Sequence, residues 1–83
     1  MTHDEIRRIA FDVLGAIAPE ADLSALAEDD ELREALDLDS MDFLNFVAAL
    51  HKATGVDIPE ADYKRLATLA GIGNYLGSAG MNR

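Results

Sequence analysis

Ser40 lies in the stretch Asp37-Leu38-Asp39-Ser40-Met41-Asp42, one hydroxyl among three carboxylates. Serine or aspartate ahead of an apolar run is an ordinary helix cap, and an isolated Asp-Ser pair needs no other explanation. Here the serine follows a long acidic connection and opens the broadest apolar helix of the chain, near its middle. A hydroxyl in that place can be exposed and reachable. A phosphodiester formed on it would sit beside the unpaired N–H groups and positive dipole end of the helix, which suit an anion.

Other chemistries find little support. With no cysteine, a disulfide scaffold, a thiolate zinc site and a thiol nucleophile of the chain's own are excluded. His3 and His51 stand far apart and have no partner at metal-ligand spacing, so both read as solvated surface histidines. An EF-hand loop needs glycine at its sixth position and glutamate at its twelfth. Counted from Asp37 those positions hold Asp42 and Ala48; from Asp29 they hold Glu34 and Ser40. Both registers fail, leaving only weak, nonspecific divalent binding. There is no Ser-His-Asp pattern and no phosphate-cradling glycine loop. Carboxylates abound, but a solvated acidic loop gives no burial to raise a pKa for acid catalysis. The expectation is a non-catalytic protein.

Charge is concentrated. Residues 20–42 hold ten acids (Glu20, Asp22, Glu28, Asp29, Asp30, Glu31, Glu34, Asp37, Asp39, Asp42) and one base, Arg33. This segment carries a net charge of −9, the same as the whole chain. Nucleic acid and anionic membrane surfaces are excluded as partners, because phosphate affinity needs clustered Lys and Arg. A basic protein surface is the natural complement; the alternative is an acidic face that only confers solubility. The longest apolar run, Phe46 to Leu50, is far short of a membrane span. The start, Met1-Thr2-His3-Asp4-Glu5, has no leader pattern, and the expected location is the cytoplasm.

The elements that must position Ser40 follow from periodicity. All 83 residues make one domain that buries only about 60% of its unfolded surface. Ile6, Ile9, Ala10, Val13, Leu14 and Ile17 form one helical stripe, with Thr2 and Glu5 as a capping box and Pro19 as the stop. A connection over 19–39 is too long to be idle. Leu23 and Leu26 can pin its first half, and Leu32, Ala35 and Leu36 suit one helical turn. The second main helix starts at Asp39 or Ser40 and runs to about Thr54, with Gly55 as its C-terminal stop. Its stripe is broad: Phe43, Val47, Leu50 and Thr54 share a face, Met41, Leu44 and Ala48 its neighbour. Residues 56–59 read as a linker, and 60–65 as a short helix opened by Pro59. Thr68 can cap a last helix through Leu69, Ile72, Tyr75 and Leu76, which Gly71 and Gly73 weaken by roughly 1 kcal/mol each. Residues 77–83 read as a frayed tail. The reading is all-α: three main helices and one short one around a single core.

At this point the chain resembles an acyl carrier protein, from about Ile6 to Leu76. The resemblance is strongest over Leu36-Asp37-Leu38-Asp39-Ser40-Met41-Asp42, continued by Leu44, Val47, Leu50, Gly55, Val56, Ile58 and Pro59. It implies an antiparallel four-helix bundle with a long acidic loop between helices 1 and 2. It implies 4′-phosphopantetheine on Ser40, added from coenzyme A by a phosphopantetheinyl transferase. The cofactor then supplies the thiol that the chain lacks, and cargo travels as a thioester between docking enzymes.

The resemblance also implies roles for the neighbours. Asp39 is placed to orient the hydroxyl or to meet a basic residue of the transferase. Asp37 and Asp42 extend that electrostatic contact, and Met41 offers an adaptable apolar one. The partners are the transferase and the acyl-loading, modifying and acyl-transfer enzymes with basic docking surfaces, and the expected state is a monomer. If cargo tucks into the bundle, Phe43, Phe46, Val47, Leu50, Ile58 and Leu66 are candidate lining; otherwise they are core.

Two departures stand out. The family often has glycine three residues before the serine, where this chain has Asp37. Carriers for fatty-acid synthesis usually have several acids along the second helix, where this one has Asp42 and then Asn45, Ala49, His51 and Lys52. A specialised pathway, in secondary metabolism or lipid modification, is therefore expected rather than standard fatty-acid synthesis. The competing reading is an acidic helical interaction module without a prosthetic group, in which Ser40 is only a cap.

Overall fold

Thr2 opens the first helix as the capping box predicts. In the computed structural model, which describes residues 2–81, Glu5 N–H donates to Thr2 Oγ1 at 3.2 Å and Thr2 N–H donates to Glu5 Oε1 at 3.1 Å. Helix α1 spans His3–Ile17 and ends at Ala18, ahead of Pro19. Its stripe is borne out: Ile6, Ala10 and Leu14 are buried, and Ile9, Val13 and Ile17 pack half-buried beside them.

The acidic connection is held at several points. A 3-10 turn at Leu23–Ala25 is capped by Asp22, and Leu23 and Leu26 rest against the core. The expected helical turn is α2, Leu32–Ala35, with Leu32 fully buried. Leu32 N–H donates to the Ala67 carbonyl at 2.8 Å, and Ala70 N–H to the Glu28 carbonyl at 3.1 Å. Glu28 also pairs with Arg7 of α1. These bonds run between segments far apart in sequence, which periodicity does not report.

Helix α3, Ser40–Thr54, buries Phe43, Phe46, Val47 and Leu50. Gly55 ends it in the left-handed conformation (φ +73°), as predicted for a helix stop. After the linker, whose Val56 is buried, the short helix opened by Pro59 is a 3-10 helix, Glu60–Leu66. Helix α4, Leu69–Met81, buries Leu69, Ile72 and Leu76. Thr68 Oγ1 accepts from Gly71 N–H at 3.0 Å, the expected cap. Helices α1, α3 and α4 and the Glu60–Leu66 segment enclose one apolar core, and among the described residues no polar side chain is buried in it.

Two expectations about α4 change. Of the expected tail over 77–83, residues 77–81 are helical, and 82–83 lie outside the described residues. Gly77 does not take the left-handed conformation that would end the helix, and no proline follows it. Gly71 is more than a weak point: a Cβ there would overlap the carbonyl oxygen of Arg65. Its missing side chain lets α4 approach the Glu60–Leu66 backbone. Tyr75, half-buried on the same helix, donates to Asp62 Oδ2 at 2.8 Å and lies under the Arg65 guanidinium. Burial, then the Asp62 carboxylate, pushes its phenol above the ordinary 10.0. Among the described residues no helix is long and apolar enough to cross a membrane.

Candidate functional site

The site begins with a turn. Asp37 has a left-handed backbone, φ +54°, the one non-glycine residue of positive φ among those described. Its N–H donates to the Glu34 carbonyl at 3.4 Å, and Leu38 N–H donates to the Arg33 carbonyl at 2.9 Å. This pair of bonds is the Schellman closure of a helix C-terminus, which usually places glycine at the left-handed position. Aspartate tolerates that conformation better than most side chains. The glycine-to-aspartate departure therefore falls where the backbone demands left-handedness. Leu38, buried in the core, holds the exit of the turn, and the reversal sets the end of α2 beside the start of α3.

The cap of α3 is Asp39. Asp42 N–H donates to Asp39 Oδ1 at 2.8 Å, and Asp39 N–H donates to Asp42 Oδ2 at 3.3 Å. This corrects two readings. Ser40 is not the capping residue; it is the first residue inside the helix. Asp39 makes no hydrogen bond to the Ser40 hydroxyl; its Oδ1 accepts from the Asp42 N–H.

The partner of the Ser40 hydroxyl is Arg33, which donates from Nη2 to Oγ at 3.2 Å. The guanidinium carbon lies 6.0 Å from the centroid of the Phe43 ring, within reach of a cation–π attraction. Ser40 itself is exposed. A groove of about 410 Å³ opens beside it, walled by Phe43, Leu44, Tyr63 and Ala67, with Glu31, Arg33 and Lys64 on its lining. Sequence reasoning counted Arg33 as the one base of an acidic segment without placing it. The signal that could have found it was the Schellman turn, hidden because its glycine is replaced.

The remaining expected residues divide clearly. Met41 and Leu44 are the exposed large apolar side chains among the described residues, 66% and 47% accessible. Met41 thus stands outside the core, and so does Leu44, which the sequence pattern placed on a helix face without a role. Asp37 and Asp39 are exposed and Asp42 is half-buried. Of the six residues named as candidate lining, Phe43 borders the groove at Ser40, and Val47 and Ile58 border a second groove near His51 and Pro59. Phe46, Leu50 and Leu66 are fully buried core.

The histidines lie away from Ser40. His51 sits within hydrogen-bond reach of the Val56 carbonyl, 2.8 Å from Nδ1, and His3 packs over Gly73. Among the described residues no three acidic or histidine side chains are grouped to hold a metal ion.

The residues therefore fit an attached anionic group: an accessible hydroxyl free of capping duty, an arginine already bonded to it, and a half-apolar groove alongside. A family model described as the phosphopantetheine attachment site matches residues 4–76. The chain belongs to the phosphopantetheine-binding acyl carrier family. An acyl carrier protein of Campylobacter hominis is 26% identical over 80 residues, covering 96% of this chain and 95% of that protein. The cofactor of such carriers is a covalently attached 4′-phosphopantetheine, and the carriers themselves are non-catalytic. They hold cargo while docked enzymes do the chemistry.

Proposed function

We propose that Ser40 is the attachment point of the 4′-phosphopantetheine arm and that the chain serves a dedicated acyl-transfer pathway rather than standard fatty-acid synthesis. The observation that carries the first part is the division of labour at the head of α3. Asp39 caps the helix, so the exposed Ser40 is free of capping duty. In the loading step Ser40 Oγ attacks the pantetheine-bearing phosphorus of coenzyme A. The O–P bond to Ser40 forms, the anhydride bond breaks, 3′,5′-ADP leaves, and the serine proton passes to a base of the transferase. The attached group supplies a terminal thiol that holds acyl cargo as a thioester.

The neighbours of Ser40 are then docking contacts. Asp37 meets basic residues of the transferase and of the acyl-handling enzymes. Asp39 and Asp42 each spend one oxygen on the capping box, which leaves the second oxygen of each carboxylate for a basic partner. Met41 adds apolar contact. The dedicated pathway is supported by the rest of α3: after Asp42 it carries Asn45, Ala48, His51 and Lys52 on exposed positions, not the acidic stripe of fatty-acid carriers. The protein acts as a cytoplasmic monomer.

Incubation with coenzyme A and a broad-specificity transferase, read by intact mass, tests the attachment. One phosphopantetheine should add to the wild-type chain and none to Ser40→Ala. An unchanged wild-type mass beside a control carrier that loads would overturn it. Thioester cargo recovered from the native protein would test the pathway: a straight saturated fatty-acyl series would contradict a dedicated role.

A further inference from the structure

Arg33 is surrounded in sequence by ten carboxylates, yet its hydrogen bond goes to a neutral hydroxyl. Among the described residues the ion pairs are Arg7 with Glu28 and His51 with Asp57; Arg33 and Lys64 are in neither. Both cations line the groove beside Ser40, where Glu31 is the one carboxylate among the lining residues. The backbone of Arg33 is fixed beside the start of α3, because the Schellman turn that reverses the chain closes on the Arg33 carbonyl itself. The Phe43 ring lies 6.0 Å beneath its guanidinium. A guanidinium held next to a hydroxyl in a net-negative segment is a site prepared for an anion that is not one of the chain's own carboxylates.

We propose that Arg33 is the anion-holding residue of the attachment site, pairing with the phosphodiester on Ser40 and, with Lys64, directing the arm into the groove along Phe43, Leu44 and Tyr63. The proposal rests on Ser40 being the attachment point. Esterification removes the hydroxyl proton and puts one negative charge, shared by two non-bridging oxygens, on the phosphorus bonded to the oxygen that Arg33 already contacts. Arginine matches that planar two-oxygen geometry better than any other side chain. The contact also offsets the extra negative charge that attachment adds to residues 20–42. Arg33 is a positioning residue here: it selects where the arm lies on the carrier and takes no part in chemistry at the thiol.

The test uses loaded protein, and intact mass first establishes loading, so failure of the attachment reading is seen separately. The phosphorus-31 resonance of the loaded wild type is compared with loaded Arg33→Gln and Arg33→Lys at low and high salt. The wild-type resonance should lie away from its position in the unfolded loaded chain. Arg33→Gln should move it back, Arg33→Lys should keep part of the displacement, and salt should reduce it. The Arg33 Nε–Hε resonance of the wild type should shift between unloaded and loaded protein, a readout that needs no substitution if Arg33→Gln loads poorly. An Arg33 resonance unchanged by loading would overturn the proposal. So would equal phosphorus shifts in loaded wild type and Arg33→Gln.

Discussion

Asp39 and Asp42 each accept the other's backbone N–H at the head of α3, at 2.8 and 3.3 Å. The residue between them that carries the hydroxyl is thereby relieved of capping. Asp39→Ala should lower stability by about 0.5–2 kcal/mol, the usual cost of losing an N-cap. Ser40→Ala should change it by less than about 0.5 kcal/mol, as for a surface position. Urea melts of the two unloaded variants check this, and a larger loss from Ser40→Ala would return the cap to serine.

The left-handed backbone at Asp37 predicts that Asp37→Gly stabilises the chain. Glycine takes that conformation without steric cost, and one charge leaves a segment of net −9. The gain should be about 0.5–1 kcal/mol, reduced by the freedom glycine gains when unfolded. A drop in melting temperature would mean that the carboxylate of Asp37 contributes more than its backbone costs.

Glycines on α4 should part ways. Gly71→Ala forces a Cβ onto the Arg65 carbonyl, backbone that cannot yield without moving the Glu60–Leu66 helix away. It should destabilise despite better helix propensity. At Gly77 a Cβ would meet nothing within 4 Å, so Gly77→Ala should stabilise by roughly 0.5–1 kcal/mol. Thermal melts of both variants decide the matter, and equal shifts would contradict the close approach at Gly71.

Alkaline pH should weaken the fold through Tyr75. Its phenol is held above 10.0, first by burial and then by the Asp62 hydrogen bond. Above pH 10 the unfolded chain releases that proton before the folded one, so stability declines as pH rises through the raised folded pKa. Glu5 has the opposite sign. Hydrogen bonds from Thr2, the backbone one foremost, hold its carboxyl below 4.5, so its contribution is present above that value and fades as pH falls through the folded pKa. Denaturant melts from pH 8 to about pH 11, with Tyr75→Phe as control, read the first effect. The variant should lose the alkaline decline together with the Asp62 bond.

Crowded acids make one more expectation. Added salt or magnesium should raise the melting temperature, because residues 20–42 repel one another and screening relieves it. No response to either would show that those carboxylates are dispersed in space.

Local patterns were readable because their causes are local. The stripe on α1, the Thr2–Glu5 box, the Pro19 stop and the Gly55 stop depend on residues within a turn or two of one another. They fixed an all-helical chain with α3 beginning at Asp39 or Ser40, and the family resemblance followed from that stretch. What the amino-acid order alone could not decide was which of Asp39 and Ser40 caps α3, since either side chain can accept the same N–H. It could not place Arg33 either. Its seat on Ser40 depends on a left-handed residue at Asp37, where glycine would have announced the turn. The value of Gly71 and the burial of Leu32 likewise come from segments distant in the chain. Those are contacts between elements, set by how the packed core brings backbones together, and only the tertiary structure contains them.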